Sequence, residues 1–365
     1  MSEENKKQIL FAVGGTGGHI LPAEALAHML IEEDPQVEIL FAGGRLSMNP
    51  YFHRDQFDYR EVEAESPFRG NPLKALLSLR RGRRECEELI DSFSPSLVVG
   101  FGSFYSFPLL WAARKKGIPY ILVESNAHPG RVNRLFSLGA LYTAIQFPET
   151  AERLKGETRL VQMPIWSKRK EKLSKPAAKK HYGLDPDALT LLIFGGSQGA
   201  DPINEAVSTL PSHRPFQLLH ICGTEERAPL LSQRYKEQGV RAHVKSYEEE
   251  MDKALAAADL VICRSGAGTL AELISYRIPS ILIPWPGAAE NHQQKNAEIF
   301  AKRGGAILLL QSEIHRLPQA LEEAQLRLEM MREALSTSEK PEDLSFQILK
   351  GLQMKTPSAK IASHH

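Results

Sequence analysis

Residues 11–18 read Phe-Ala-Val-Gly-Gly-Thr-Gly-Gly, and residues 193–199 read Ile-Phe-Gly-Gly-Ser-Gln-Gly. In each, an apolar run breaks into a cluster of glycines. Loss of Cβ where a strand becomes a helix lets backbone N–H groups approach an anionic oxygen, and the helix start adds the positive end of its dipole. One such cluster is equally a tight strand-to-helix turn. Two at equivalent places, one per half of the chain, point to ligand sites.

Outward from these turns, apolar runs alternate with amphipathic stretches. Buried strands are expected at Ile9–Val13, Val37–Ala42, Leu97–Phe101, Tyr120–Val123 and Leu141–Ile145, with helices at Pro22–Glu33, Pro72–Ser92 and Phe107–Lys116. The second half repeats the rhythm. Its strands are expected at Thr190–Phe194, Phe216–Ile221, Ala242–Val244, Leu260–Cys263, Ser280–Ile283 and Ile307–Leu310. Its helices are expected near Asn204–Leu210, Arg227–Gln238, Met251–Ala258, Thr269–Tyr276, Gln293–Lys302 and Leu317–Ser336. Near-continuous apolar strands separated by helices predict an α/β protein with parallel sheets covered on both faces. The division expected is an N-terminal domain 1–163, a Lys- and Pro-rich linker 164–189, a second domain 190–337, and a C-terminal helix or tail 338–365 packing back on the first domain. Two doubly wound domains would face a cleft, with ligands beyond the carboxyl ends of their strands.

Composition narrows the function. In 365 residues, 45 Lys and Arg balance 44 Asp and Glu, which argues against a nucleic-acid partner. The hydrophobic share of 42% and the charged share of 24% are those of a globular protein. Cys86, Cys222 and Cys263 are odd in number and unclustered, as free thiols of a reducing compartment are. The apolar run 8–13 is short for a signal-peptide core, and no stretch of about 18 apolar residues occurs, so a cytoplasmic chain is expected.

A third glycine turn, Arg264-Ser-Gly-Ala-Gly-Thr-Leu-Ala-Glu272, follows the strand ending at Cys263. Gly266, Gly268 and Ala271 formally satisfy a dinucleotide fingerprint, which keeps a nucleotide-dependent dehydrogenase as a rival reading. The motif lies deep in the second half, and Ile20 stands at the third position of the first turn, so it reads instead as a pyrophosphate cradle. Glu272, one helical turn after Gly268, suits two vicinal ribose hydroxyls or simply complements the helix dipole. Asp185-Pro-Asp187 mimics a metal-holding carboxylate pair but has the composition of a turn, and no metal is expected. His19 closes the first glycine turn and suits a general base at neutral pH, a role for which Glu124 and Asn126 compete. Leu73, Leu76, Leu77 and Leu79 interleave with Lys74, Arg80, Arg81, Arg83 and Arg84. That pattern suits an anionic membrane surface or an ordinary amphipathic helix facing the core.

Together, Gly14–His19, Gly195–Ala200, Cys263–Glu272 and Gln293-Gln-Lys-Asn-Ala297 resemble, in order and spacing, glycosyltransferase family 28 and its peripheral-membrane N-acetylglucosaminyltransferases of peptidoglycan synthesis. The resemblance runs from about Gln8 to about Leu310. It implies a GT-B fold of two Rossmann-like domains, no cofactor, and inverting transfer from UDP-N-acetylglucosamine to the muramyl 4-hydroxyl of lipid I, giving lipid II. It implies that Ser197, Gln198, Gly266 and the backbone of Ala267, Gly268 and Thr269 hold the donor diphosphate, with Glu272 on the ribose. Gln293, Gln294 and Asn126 would hold the donor sugar. The turn Gly14–Gly18 would take the acceptor's pyrophosphate, its Thr16, Gly17 and Gly18 also touching the donor, with Ser103, Phe104 and Ser106 on the acceptor side. His19 and Glu124 would be catalytic. Anionic inner-leaflet lipids, met through Leu73, Leu76, Leu77, Arg80 and Arg81, and other wall-synthesis enzymes are the further partners implied. A UDP-hexose-dependent glycolipid synthase and a non-catalytic UDP-sugar-binding protein are the alternatives. Three departures from the family pattern stand out: Val123-Glu-Ser-Asn126 for His-Glu-Gln-Asn, Trp166 for an Arg, and Phe104 for a Tyr.

Overall fold

The computed structural model describes residues 7–64, 72–165, 173–196, 199–210, 216–336 and 341–354. It divides into two compact units, Met1–Trp166 with Pro341–His365, and Ser167–Lys340. In chain order the strands are β1 (Lys7–Ala12), β2 (Val37–Gly43), β3 (Tyr59–Glu61), β4 (Leu97–Gly100), β5 (Tyr120–Glu124), β6 (Thr143–Ile145) and β7 (Thr158–Gln162). They continue with β8 (Leu189–Phe194), β9 (Phe216–Ile221), β10 (Ala242–Lys245), β11 (Leu260–Cys263), β12 (Ser280–Leu282), β13 (Ala306–Leu308) and β14 (Glu342–Asp343).

The first unit holds the sheet β14-β7-β6-β5-β4-β1-β2-β3 and the second β10-β9-β8-β11-β12-β13, every pair parallel. In the first, Phe11 of β1 lies opposite Phe41 of β2 and Val99 of β4, and all three are buried. Helices Pro72–Phe93 and Phe107–Lys116 cover one face, placing Cys86, Ile90, Leu109 and Leu110 against Leu10, Leu40 and Leu122. Local chemistry fixes the second of these helices: Pro108 opens it, three basic residues fill its last turn, and Gly117 ends it at φ 70°. In the second unit, Leu191, Ile193, Leu260, Ile262 and Ile281 pack against Ile203, Val207, Leu317 and Leu321. His220 lies wholly inside that core, with Nδ1 against Tyr235 Oη (2.8 Å) and Nε2 against Asn204 Oδ1 (3.0 Å). Burial pushes its pKa down to about 4, so it is a neutral, hydrogen-bonded core residue.

Differences from the sequence reading concern short elements. β3, β7 and β14 carry no alternating pattern, and helices Arg131–Phe136 and Lys175–His181 are equally short. Residues 164–189, read as linker, contain the Lys175–His181 helix. The expected Leu317–Ser336 helix is two, broken at Arg327 (φ −103°, ψ 8°). The proline signal put the first helix at Pro22; it begins at Gly17, where the carbonyl of Thr16 accepts from the N–H groups of His19 and Ile20. That shift places His19 in the first turn. The chain returns to the first unit through β14, whose Glu342 and Asp343 align with Val161 and Gln162 of β7. The following helix is tied to helix Gly17–Glu33 by Ser345 Oγ on Glu33 Oε1 (2.5 Å).

Gly82 fixes how helix Pro72–Phe93 seats: a methyl group there would lie 2.0 Å from the carbonyl oxygen of Glu63. Alanine gains up to about 1 kcal/mol of helix propensity, but overpacking costs about 1–3 kcal/mol. Thermal unfolding of Gly82→Ala is expected to show a midpoint about 2–4 °C lower; an unchanged or higher midpoint contradicts this packing.

Candidate active site

In the first sheet the strand order reverses beside β1, and the turns after β1 and β4 meet there. Gly14 (φ 151°) and Gly15 (φ 91°) run under the turn Gly102–Ser106. A Cβ on Gly14 would lie 2.7 Å from Tyr105 Cβ, and one on Gly15 would lie 3.0 Å from Ser103 Oγ, so only glycine permits the approach. Ser103 itself adopts φ 69°, ψ 150°, a region essentially reserved for glycine. Strain at that position is held by neighbours: Ser103 Oγ accepts from Tyr105 N (3.3 Å), and Ser106 Oγ bonds the carbonyls of Gly102 (2.6 Å) and Ser103 (2.8 Å). Ser106 is fully buried in this duty, where it supports the turn. Phe104 is half-buried and stacks on Tyr105 at 4.0 Å between ring centroids.

Thr16 and Gly18 are exposed, and Gly17 lies against the Tyr51 ring. His19 Nδ1 is 3.3 Å from Thr16 Oγ1. The other edge of its ring faces Gly102, where a methyl group would lie 3.5 Å from Cδ2 and 3.7 Å from Nε2. The same point is 3.4 Å from Asn133 Nδ2, so the turns after β1 and β4 and the helix after β5 converge on His19.

Glu124, at the end of β5, is 4% exposed. Its Oε1 accepts from Asn126 N (3.0 Å) and Nδ2 (3.2 Å), and its Oε2 from Gly130 N and Asn133 Nδ2 (both 2.9 Å). Burial pushes its carboxyl pKa up, and the four donors oppose that rise. With both oxygens saturated inside the protein, Glu124 shapes the loop carrying Asn126. The catalytic role expected of it does not fit this geometry.

Helix Pro72–Phe93 exposes Leu76 (42%) and Leu77 (57%) beside Arg80 and Arg81, while Leu79 is in the core. The Leu73 side chain lies outside the described residues. Arg81 pairs with Glu63 at 2.7 Å. Among the described residues, no helix is long and apolar enough to cross a membrane.

The second sheet reverses order beside β8, next to β11. Gly196 (φ 90°) and Gly199 (φ 71°) follow β8, and a Cβ on Gly199 would lie 2.3 Å from the carbonyl oxygen of Cys222. Ser197 and Gln198 lie outside the described residues. After β11, Gly266 caps helix Ala267–Tyr276, whose first-turn amides, including those of Gly268 and Thr269, have no acceptor within the helix. Beyond its chain neighbours and its own helix backbone, no atom of the described residues lies within 4 Å of where a Gly268 Cβ would sit, so that face is open. Four residues on, along the same face, Glu272 makes no hydrogen bond among the described residues, and burial pushes its pKa up to about 7.

Around this helix start a network ties the strand ends together. Buried Arg264 donates to the carbonyls of Ile283 (3.0 Å) and Pro284 (3.1 Å) and to Gln311 Oε1 (2.6 Å). Ser265 Oγ donates to the carbonyl of Gln293 (2.8 Å), and Asn296 Nδ2 to that of Ser265 (3.2 Å). The Oε1 of Gln293 accepts from Trp285 N (3.0 Å). Gln294 is held between Asn291 and Glu298, both at 2.9 Å. The preceding turn carries Glu290 (φ 51°) and Asn291 (φ 56°) in left-handed conformations. Asp185, part of the metal-like pair, accepts from Asp187 N (3.0 Å) in a tight turn.

Residues 9–144 match the glycosyltransferase family 28 N-terminal domain, and residues 190–353 match the glycosyltransferase family 28 C-terminal domain. The chain belongs to glycosyltransferase family 28. It is 42% identical over 301 residues, 80% of either chain, to the UDP-N-acetylglucosamine–N-acetylmuramyl-(pentapeptide) pyrophosphoryl-undecaprenol N-acetylglucosamine transferase of Protochlamydia amoebophila (strain UWE25). The protein of the same name from Desulforamulus reducens is 35% identical over 355 residues, 91% of this chain and 94% of that one. The crystal structure of Acinetobacter baumannii MurG superposes with a TM-score of 0.75 at 23% identity, covering 95% of this chain and 99% of that one. The Streptomyces sp. SF2575 glycosyltransferase SsfS6 reaches 0.64 at 16% identity, covering 94% and 99%. This family 28 member is a glycosyltransferase with the GT-B fold, and the dehydrogenase reading of Gly266, Gly268 and Ala271 falls away.

Glu272 makes the second unit of this family 28 chain pH-sensitive. Its folded pKa is raised above the ordinary 4.5, so its contribution to stability is full below 4.5 and is lost as pH rises through about 7. Glu272→Gln removes the charged form. Its unfolding midpoint is expected to match the parent's near pH 5 and exceed it by about 2–4 °C at pH 8. Equal midpoints at both pH values in a thermal scan would contradict the raised pKa of this carboxyl.

Proposed function

We propose that this chain moves N-acetylglucosamine from UDP-N-acetylglucosamine to the 4-hydroxyl of the muramyl sugar of lipid I. The product is lipid II, for peptidoglycan synthesis and, through it, cell shape and division. The observation that carries the reading is the open start of helix Ala267–Tyr276 with Glu272 one turn above it. Amides of Gly268 and Thr269 suit a diphosphate, and a carboxylate at that distance with no hydrogen bond among the described residues suits the two ribose hydroxyls. The names of the Protochlamydia and Desulforamulus relatives supply the sugar and the acceptor.

Within this reading, Ser197 and Gln198 contact the diphosphate, and Gln293 and Gln294 hold the sugar, with Asn126 as a further contact. The turn Gly14–Gly18, with Ser103 and Phe104, takes the acceptor's pyrophosphate. With Nδ1 donating to Thr16 Oγ1, Nε2 of His19 keeps its lone pair and removes the proton from the acceptor hydroxyl. The freed oxygen forms a bond to the sugar's anomeric carbon from the face opposite UDP. The bond from that carbon to the diphosphate oxygen breaks, which inverts the configuration. The charge arriving on the diphosphate is met by helix-start amides already in place. The protein works at the cytoplasmic face of the cell membrane. Leu73, Leu76 and Leu77 enter the anionic leaflet while Arg80 and Arg81 meet its headgroups.

His19→Ala is expected to lower kcat by about 100-fold or more while UDP affinity stays within about twofold, since His19 stands in the acceptor-side unit. Equal losses in both would mean that the variant disturbs the glycine turn and would remove His19 as the base. UDP-glucose turning over faster than UDP-N-acetylglucosamine would instead favour a glycolipid synthase.

Leu76→Glu/Leu77→Glu is expected to weaken partition onto anionic vesicles about tenfold or more, from the loss of two apolar side chains. Kinetics with a soluble acceptor stay unchanged. Partition equal to the parent's in a sedimentation assay would move the membrane face elsewhere.

A further inference from the structure

The first glycine turn is braced by a residue that no motif marks. Asn49 lies in the loop between β2 and β3, and its Nδ2 donates to the carbonyl oxygen of Gly15 at 2.7 Å. The rest of Asn49 is equally occupied. Its Oδ1 accepts from Tyr51 N (3.0 Å), its N–H donates to the carbonyl of Leu46 (3.1 Å), and its carbonyl accepts from Phe52 N (3.2 Å). The loop around it is anchored at both ends. Glu61 accepts from the N–H groups of Arg45 and Ser47, both at 2.7 Å, and buried Glu24 accepts from His53 N (2.7 Å) beside His53 Nδ1 (2.8 Å).

Gly15 stands at φ 91°, where the backbone of a glycine rotates at little cost. In a trans peptide the C=O and N–H bonds point in opposite directions. With the Gly15 carbonyl captured by Asn49, the N–H of Thr16 is turned to the other side, where it makes no hydrogen bond among the described residues. Were the unit to flip, a carbonyl oxygen would take the place of that donor and repel an anion.

We propose that Asn49 is a positioning residue for the acceptor. It locks the Gly15–Thr16 peptide so that the turn offers an N–H to the acceptor's diphosphate. This rests on the assignment of Gly14–Gly18 to that diphosphate, and it adds a residue in the β2–β3 loop that acts through the turn without touching substrate.

Two substitutions separate this role from turn capping. Aspartate keeps the shape of Asn49 and the acceptor for Tyr51 N, and serves an Asx-type turn as well as asparagine does, but it cannot donate to Gly15. The full chain would be assayed with a short-chain lipid I, and with inorganic pyrophosphate as a competitor of the acceptor. Asn49→Asp and Asn49→Ala are both expected to raise acceptor KM and the pyrophosphate inhibition constant about tenfold, the loss of one hydrogen bond facing a charged group. Asn49→Asp should be affected at least as much as Asn49→Ala, while donor KM and the unfolding midpoint hold. Asn49→Asp behaving as the parent, or donor KM rising in step with acceptor KM, overturns the proposal.

Direct pyrophosphate binding separates it from the functional reading. Pyrophosphate bound by the parent and lost in both variants, with no transfer to lipid I, keeps Asn49 in this role and discards the acceptor. Transfer by the parent with acceptor KM unchanged in the variants does the reverse. A parent inert toward both probes discards both.

Discussion

Each sheet reverses its strand order beside its own first strand, and that single topological fact decides where chemistry can occur. Connections leaving β1 and β4 depart in opposite directions, as do those leaving β8 and β11, so a notch opens at the carboxyl edge of both sheets. The glycine turns lie in those notches because side chains would not fit: Tyr105 fills the space beside Gly14, and the carbonyl of Cys222 the space beside Gly199. Helix starts follow directly, so backbone donors point where an anion would rest.

The charged side chains around the notches are mostly committed to the protein itself. Arg264 has three acceptors for its guanidinium, and Glu124 has four donors for its carboxylate. Buried charges tolerate little else, since an unpaired one costs several kcal/mol, roughly, in low dielectric. Half-buried Glu272 differs: it makes no hydrogen bond among the described residues, and desolvation lifts its pKa to about 7.

Much of this was legible in the sequence because glycines at strand ends and 3.6-residue periodicity are local signals. The long strands and the three glycine turns lie where the residues say they should. What escaped was tertiary. Nothing in the stretch around Asn49 says that its amide reaches a carbonyl 34 residues earlier. Nothing around Asn133 says that it closes on Glu124. Ser106 and Glu124 have the right residue types for ligand contact, yet Ser106 bonds the carbonyls of its own turn, and Glu124 accepts from two backbone N–H groups and from the side-chain amides of Asn126 and Asn133. Two- and three-residue strands such as β14 and β3 exist only because a neighbouring edge is there to pair with, which no local pattern records.

Transfer of N-acetylglucosamine to lipid I, with the helix-start amides taking the charge of the departing diphosphate, is tested most directly by UDP release from UDP-N-acetylglucosamine, measured in EDTA with and without a short-chain lipid I. UDP release that depends on the acceptor and yields a product heavier by one N-acetylhexosamine is the predicted result. UDP bound but never released in response to lipid I would contradict it, leaving a UDP-sugar site that serves another acceptor or none.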